Sequence, residues 1–227
     1  MATEKAPRLD ARLKTAASLV KPGAIAADIG CDHGKLSAFL VCNGLCSRVI
    51  AADLRLGPLS VAKETCREAG CADRIDFRLG DGLQVVQPGE VDTIILAGIS
   101  AQTTIEILEA APWIKQQGMR LICVPATKAW VLRQWLWRNG FELHQEKLAK
   151  AAGRWYAVMG ADYTGNCCEP SDLACVLGLT EQEDGAQEYQ EQLAVKLAKM
   201  RRGLEQDPQA AARLDALLSK LSTRESE

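Results

Sequence analysis

The sequence predicts an α/β protein in which a parallel sheet is finished by one antiparallel hairpin and followed by a helical hairpin. Three observations predict it. From Leu9 to Arg138, short apolar runs alternate with stretches of helical periodicity, the signature of strands joined by crossover helices. Two further strand-like runs, Phe141 to Lys147 and Trp155 to Met159, flank the small-residue stretch Lys150-Ala151-Ala152-Gly153, as in a tight hairpin. After a turn-rich stretch, two apolar stripes at helical spacing close the chain.

Leu9, Leu13, Ala16 and Val20 form the first helical stripe, which Lys21-Pro22-Gly23 stops. Ala24 to Ile29 reads as a buried parallel strand leaving the sheet at Gly30. A helix from Lys35 to about Asn43 ends at Gly44, and Arg48 to Leu54 is the second strand. Gly57-Pro58 opens a helix that runs to Ala69, and Arg74 to Leu79 is the third strand. Val91 to Leu96, a helix over Gln102 to Ala110, the strand Met119 to Val124 and a helix over Ala129 to Arg138 complete the alternation. Residues 164–180 read as a linker. In the tail, Leu193, Leu197, Met200 and Leu204 form one stripe, and Leu214, Leu217, Leu218 and Leu221 form another. Asp207-Pro208 between them is an N-cap followed by proline at the first helical position, so a second helix starts there. The expected division is a main domain over 1–163, the linker, and a helical, coiled-coil-like hairpin over 181–227. That hairpin serves either as a packing or dimer element or as an arm for a large substrate.

Composition narrows the function classes. The 227 residues are 48% hydrophobic and 25% charged, the mix of a folded globular protein rather than a disordered one. A net charge of −2 excludes a surface that is basic throughout, though not a local basic patch. Nine cysteines are scattered without any Cys-x-x-Cys pair, so idle thiols are expected and no metal site. The N-terminus lacks a secretory apolar core, and no apolar run reaches the roughly 18 residues of a membrane span, so a cytoplasmic protein is expected.

The informative segment is Asp28-Ile29-Gly30-Cys31-Asp32-His33-Gly34, between the first strand and the next helix. Gly30 permits a tight turn, and Gly34 lets the following helix pack close to the sheet. Dinucleotide-binding turns carry glycine at the middle position, where a pyrophosphate meets the helix N-terminus. Here Asp32 occupies it, and its charge repels phosphate. S-adenosylmethionine carries cationic ammonium and sulfonium groups and no phosphate, so acids at Asp28 and Asp32 favour it over NAD. Asp53, near the end of the second strand, has the spacing of a ribose-binding acid; its alternative is an ordinary strand-end aspartate. Asp81 in Gly80-Asp81-Gly82 would be a third acid at the carboxyl edge of a successive strand, placed to accept an adenine amine.

These residues resemble a known family, the bacterial methyltransferases that modify N1 of adenine 22 in tRNA, and the resemblance covers nearly the whole chain. Leu9-Asp10-Ala11-Arg12-Leu13 is similar to the family's opening helix, and Asp28 to Gly34 to its Asp-Ile-Gly-Ser-Asp-His-Ala segment. Gly57-Pro58, Arg78 to Leu83 and Arg133-Gln134-Trp135-Leu136 also match, as does the terminal helical hairpin. The resemblance implies a Rossmann-like class I methyltransferase whose last strand enters the sheet antiparallel. It implies S-adenosylmethionine bound by Arg12, Asp28, Gly30, Asp32, His33, Asp53, Asp81, Gly82 and Ala97. Asp32 and the backbone at Gly98 would stand at the reacting centre, and Arg8, Arg12 and His33 would face the substrate. His33 has a merely structural role as its alternative.

Two segments depart from the family. Ala97-Gly98-Ile99-Ser100-Ala101 replaces Ala-Gly-Met-Gly-Gly, and Val124-Pro125-Ala126 replaces Gln-Pro-Asn. Both belong where the target base meets the methyl group. A small-molecule methyltransferase and a catalytically degenerate cofactor- and RNA-binding protein therefore stand beside the tRNA enzyme. For tRNA, phosphate contacts are expected from Lys5, Arg8, Arg12, Lys14 and Lys21 and from Lys196, Lys199, Arg201 and Arg202 on the first tail helix. Trp113, Trp130 or Trp137 would stack on a flipped base, or belong to the core. The chain itself is expected to be a monomer or weak dimer.

Overall fold

The computed structural model describes residues 5–204 and 206–223. Helix α1 (Ala11–Ser18) starts at Asp10, whose carboxylate accepts the Leu13 N–H at 3.1 Å as an N-cap. Strand β1 (Ala24–Ile29), helix α2 (Lys35–Cys42), strand β2 (Cys46–Asp53), helix α3 (Leu56–Glu68) and strand β3 (Ile75–Leu79) follow. Then come β4 (Thr93–Ala97), α4 (Ala101–Glu109), β5 (Arg120–Val124) and α5 (Ala129–Arg138). The hairpin is β6 (Phe141–Ala151) and β7 (Arg154–Tyr163), and the tail is α6 (Asp172–Leu177), α7 (Ala186–Arg202) and α8 (Pro208–Thr223).

One seven-stranded sheet has the order β3-β2-β1-β4-β5-β7-β6. The first five strands are parallel, and β7 runs antiparallel between β5 and β6. Neighbouring residues on each strand serve opposite faces, as the pleat requires. Ala27, Ile94 and Leu121 face a core closed by α4, α5 and the tail helices, whereas Ala26, Ile95 and Ile122 face a second core closed by α1, α2 and α3. The order reverses between β1 and β4, and at such a switch point the loops leaving adjacent strands diverge and open a crevice.

Three expectations need correction. Strand β6 runs to Ala151 rather than stopping at Lys147, because a register shift between Leu143 and Gln145 turns Glu146 inward and hides the alternation. Strand β7 likewise extends to Tyr163. The stretch 164–180 is no plain linker: it contains α6, whose Ser171 N-cap accepts the Ala174 N–H, and it buries Cys175, Val176, Leu177 and Thr180. Tail residues Tyr189, Leu193, Leu197, Leu217 and Leu221 belong to the same buried cluster as the sheet. Asp207 caps α8 through the Ala210 N–H at 3.0 Å, as its sequence predicts. Among the described residues no helix is long and apolar enough to cross a membrane.

Candidate active site

At the carboxyl edge of β1, β2, β3 and β4 the loops enclose a cleft of about 710 Å³, within the size range of small-molecule sites. Its floor is the turn after β1. Gly30 has φ +73°, and a Cβ there would lie 3.1 Å from the Ile99 side chain; its N–H and that of Cys31 both bond the Ala52 carbonyl at 2.9 Å. Gly34, at φ +68°, begins α2, and a Cβ there would sit 2.8 Å from the Ala62 side chain. The close approach is thus to α3 rather than to a strand. Asp32 between them is also left-handed, with φ +50°.

Asp53 holds that turn in place. Its Oδ2 accepts the Asp32 N–H at 3.1 Å and its Oδ1 accepts the Arg55 N–H at 2.9 Å, while the side chain is almost wholly buried. Asp28 is 3% exposed and accepts the Ser37 hydroxyl at 2.6 Å. Burial, with a smaller contribution from the Asp53 charge, pushes its pKa up to about 6 despite that bond. Asp32 is exposed at the mouth, where its Oδ2 lies 2.7 Å from His33 Nδ1. Asp81 stands across the cleft after β3. Arg12 reaches in from α1, paired with Asp10 at 2.7 Å, and its buried Nε has no hydrogen-bond partner.

Five aspartates (10, 28, 32, 53 and 81) therefore line the cleft against the cations Arg12, Lys35 and Arg55. A cation-bearing ligand without phosphates suits that balance. The sequence family described as a methyltransferase domain matches residues 9–159. The chain belongs to this methyltransferase family. A curated relative, the tRNA (adenine(22)-N(1))-methyltransferase of Bacillus subtilis, is 36% identical over 155 residues, which is 68% of this chain and 65% of that relative. The chain thus spans just under two thirds of that relative's length. The crystal structure of the B. subtilis m1A22 tRNA methyltransferase TrmK superposes with a TM-score of 0.82 at 28% identity, covering 94% of this chain and 98% of that one. A Streptococcus pneumoniae structure in complex with S-adenosyl-L-methionine has a TM-score of 0.77 at 26% identity, covering 95% and 99%.

In this chain, Arg12, Asp28, Gly30, Asp32, His33, Asp53, Asp81, Gly82, Ala97 and Gly98 all line the same cleft. Arg8 does not: it lies exposed before α1, because the chain enters the helix only at Asp10. Trp113, Trp130 and Trp137 are packed against the sheet's core and line no part of the cleft, so they are not placed to stack on a base there. Lys21 and Arg201 are engaged by Asp162 and Asp215.

Sequence reasoning missed several lining residues of the cleft, among them Asp10, Lys35, Leu54, Arg55, Thr103 and Ile107. Leu54 carried a legible signal, being a leucine directly after a strand-end acid, and it is 65% exposed on the rim. The departed segment has structural work to do. Ser100 caps α4 by accepting the Thr103 N–H at 3.1 Å, and Ile99 covers Gly30. Cys31 also lines the cleft, but burial first, then Asp28 and Asp53, push its thiol far up, so it is no nucleophile.

Proposed function

We propose that this chain is an S-adenosylmethionine-dependent tRNA methyltransferase acting on N1 of adenine 22. The observation that carries it is the convergence of Asp28, Asp53 and Asp81 on one cleft at the switch point, in a chain related to the B. subtilis enzyme. The residues fit the cofactor. The unpartnered Nε of Arg12 suits its carboxylate, Asp28 and Asp32 suit its ammonium and sulfonium, Asp53 its ribose and Asp81 its adenine amine. Gly30, Gly82 and Ala97 leave backbone close to the ligand.

When bound, the cofactor supplies an electrophilic methyl group. Adenine N1 has a free lone pair at neutral pH, so the chain need not provide a strong base. Its tasks are alignment and charge. The rigid turn at Gly30 and the Gly98 backbone set the approach, and the exposed Asp32 carboxylate offsets the positive charge that appears on the methylated base. His33, held by Asp32 at the mouth, contacts the substrate side. A tRNA substrate places the protein in the cytoplasm, where it works as a monomer or weak dimer.

Incubation with methyl-labelled S-adenosylmethionine and unmodified tRNA, followed by nucleoside analysis, tests this. Labelled 1-methyladenosine at position 22 is expected. Cofactor binding without transfer, or transfer only to metabolites, would overturn it in favour of a degenerate protein or a small-molecule enzyme.

A further inference from the structure

Beside the cleft the C-terminal rim of the sheet carries a ledge. Strand β7 pairs with β5 only from Met159 onward, so Arg154 to Ala157 run past the end of β5. There Gln192 of α7 takes the place of a neighbouring strand, accepting the Trp155 N–H at 2.9 Å and donating to the Trp155 carbonyl at 2.9 Å. Helix α7 is thereby fixed to the hairpin.

Cations and aromatic rings flank this edge on both faces, with Tyr156 turned toward the α1–α3 core and Trp155 toward the tail-helix core. Arg154 lies 5.5 Å from the centre of the Tyr156 ring, and Lys150 lies 5.1 Å from that of Trp155. Lys196 is half-buried beside them; burial and then Arg154 lower its pKa, and no carboxylate counters them. It shares a small hollow with Lys128, Trp155 and Tyr156, and no acidic residue lines that hollow. Lys128 holds a left-handed backbone at φ +53°. None of Lys128, Lys150, Arg154 and Lys196 has a carboxylate partner among the described residues, whereas Lys21, Arg78, Arg120, Arg133 and Arg138 do. In a chain with 29 acids and 27 bases, that clustering gives the ledge a local positive charge that suits an anionic ligand.

Arg12 joins the ledge to the cleft, since it lines the cleft and also lies 4.9 Å from the centre of the Tyr156 ring. We propose that this ledge binds the RNA sugar-phosphate backbone beside the base presented to the cleft, a reading that rests on tRNA as substrate. The cations take phosphates, and the exposed parts of the rings take a base or sugar face. The tail helices thus serve the substrate by bracing the hairpin rather than as a free arm.

The test compares wild type with a Lys150→Gln/Arg154→Gln/Lys196→Gln variant and with a Lys63→Gln/Lys115→Gln control far from the ledge in sequence. Fluorescence anisotropy of labelled unmodified tRNA over a range of salt concentrations is the readout, with calorimetry of S-adenosylmethionine as the check on folding. The triple variant is expected to bind tRNA roughly tenfold or more weakly and to lose about 2–3 from the log–log salt slope. Its KM for tRNA rises while kcat and cofactor affinity hold. If the triple variant fails the folding check, the single Lys150→Gln and Arg154→Gln variants carry the test through smaller losses of the same kind. Unchanged affinity and slope while wild type still methylates tRNA would overturn the ledge alone, as would an equal loss in the control. A wild type that neither binds nor methylates tRNA would overturn the ledge and the tRNA reading together.

Discussion

Asp28 is a carboxylate held at a pKa of about 6 because loss of water outweighs its hydrogen bond from Ser37. Its folded pKa lies above the ordinary 3.8, so between those values the folded protein keeps a proton that the unfolded chain has released. Stability conferred by that proton is full below about pH 4 and is lost as pH rises through about 6. Asp28→Asn removes the titration, so in thermal melts without cofactor the variant should gain on wild type between about pH 4 and 6. Identical pH profiles would show that Asp28 does not titrate as described. A cationic cofactor prefers the ionised form, so its affinity for wild type, followed by calorimetry, should weaken as pH falls through about 6. A flat profile would remove Asp28 from the site. Gly34 makes a steric demand instead. Gly34→Ala adds a Cβ at φ +68° and 2.8 Å from Ala62, and should cost about 2–4 kcal/mol in urea unfolding. A loss under about 1 kcal/mol would mean that α3 moves aside.

At the scale of elements, the hairpin shows what sequence pattern conveys and what it hides. The small residues at 151–153 located the turn, and its two central residues, Ala152 and Gly153, are left-handed at φ +50° and +73°. That is the geometry of a two-residue type I′ turn, which suits Gly153 and strains Ala152. Ala152→Asn should stabilise the protein by about 0.5–1 kcal/mol, read as a higher denaturation midpoint at unchanged m-value. A lower midpoint would contradict the turn geometry. The length of β6 was hidden because its buried positions, Phe141, Leu143, Glu146 and Ala149, fall on both faces of the sheet and abandon strict alternation after the register shift. Strand β1 and helix α5, by contrast, were legible to the residue, since each is an uninterrupted pattern that ends at a glycine turn, Gly30 and Gly140.

At the scale of the molecule, one buried ion pair ties the tail to the sheet. Arg133 on α5 and Glu146 on β6 are fully buried 2.8 Å apart. Burial alone would lower the pKa of Arg133, but Glu146 and Tyr189 hold it charged. The guanidinium also donates to the carbonyls of Cys175 and Val176 and to the Tyr189 hydroxyl, and Glu146 accepts the Leu179 N–H. Four segments of chain thus meet on two side chains. Glu146→Gln should cost about 3–5 kcal/mol by leaving a buried charge uncompensated, and should speed hydrogen exchange across α6 and α7. The double Arg133→Met/Glu146→Leu variant should recover part of that loss. Unchanged exchange in the tail of Glu146→Gln would show that the apolar contacts alone anchor it.

The sequence by itself determined the alternation of strands and helices, the antiparallel finish, the acidic turn and the capped tail helix, because each is written in local periodicity and local backbone preference. Only the tertiary structure decided that Arg8 stands outside the cleft, that Ile99 and Ser100 serve the turn and α4, and that the tail is locked by Arg133. Those outcomes depend on contacts between residues distant in the chain, and on burial that gives one arginine a different role from another. A single sequence records which residues are present, but not the desolvation that couples them.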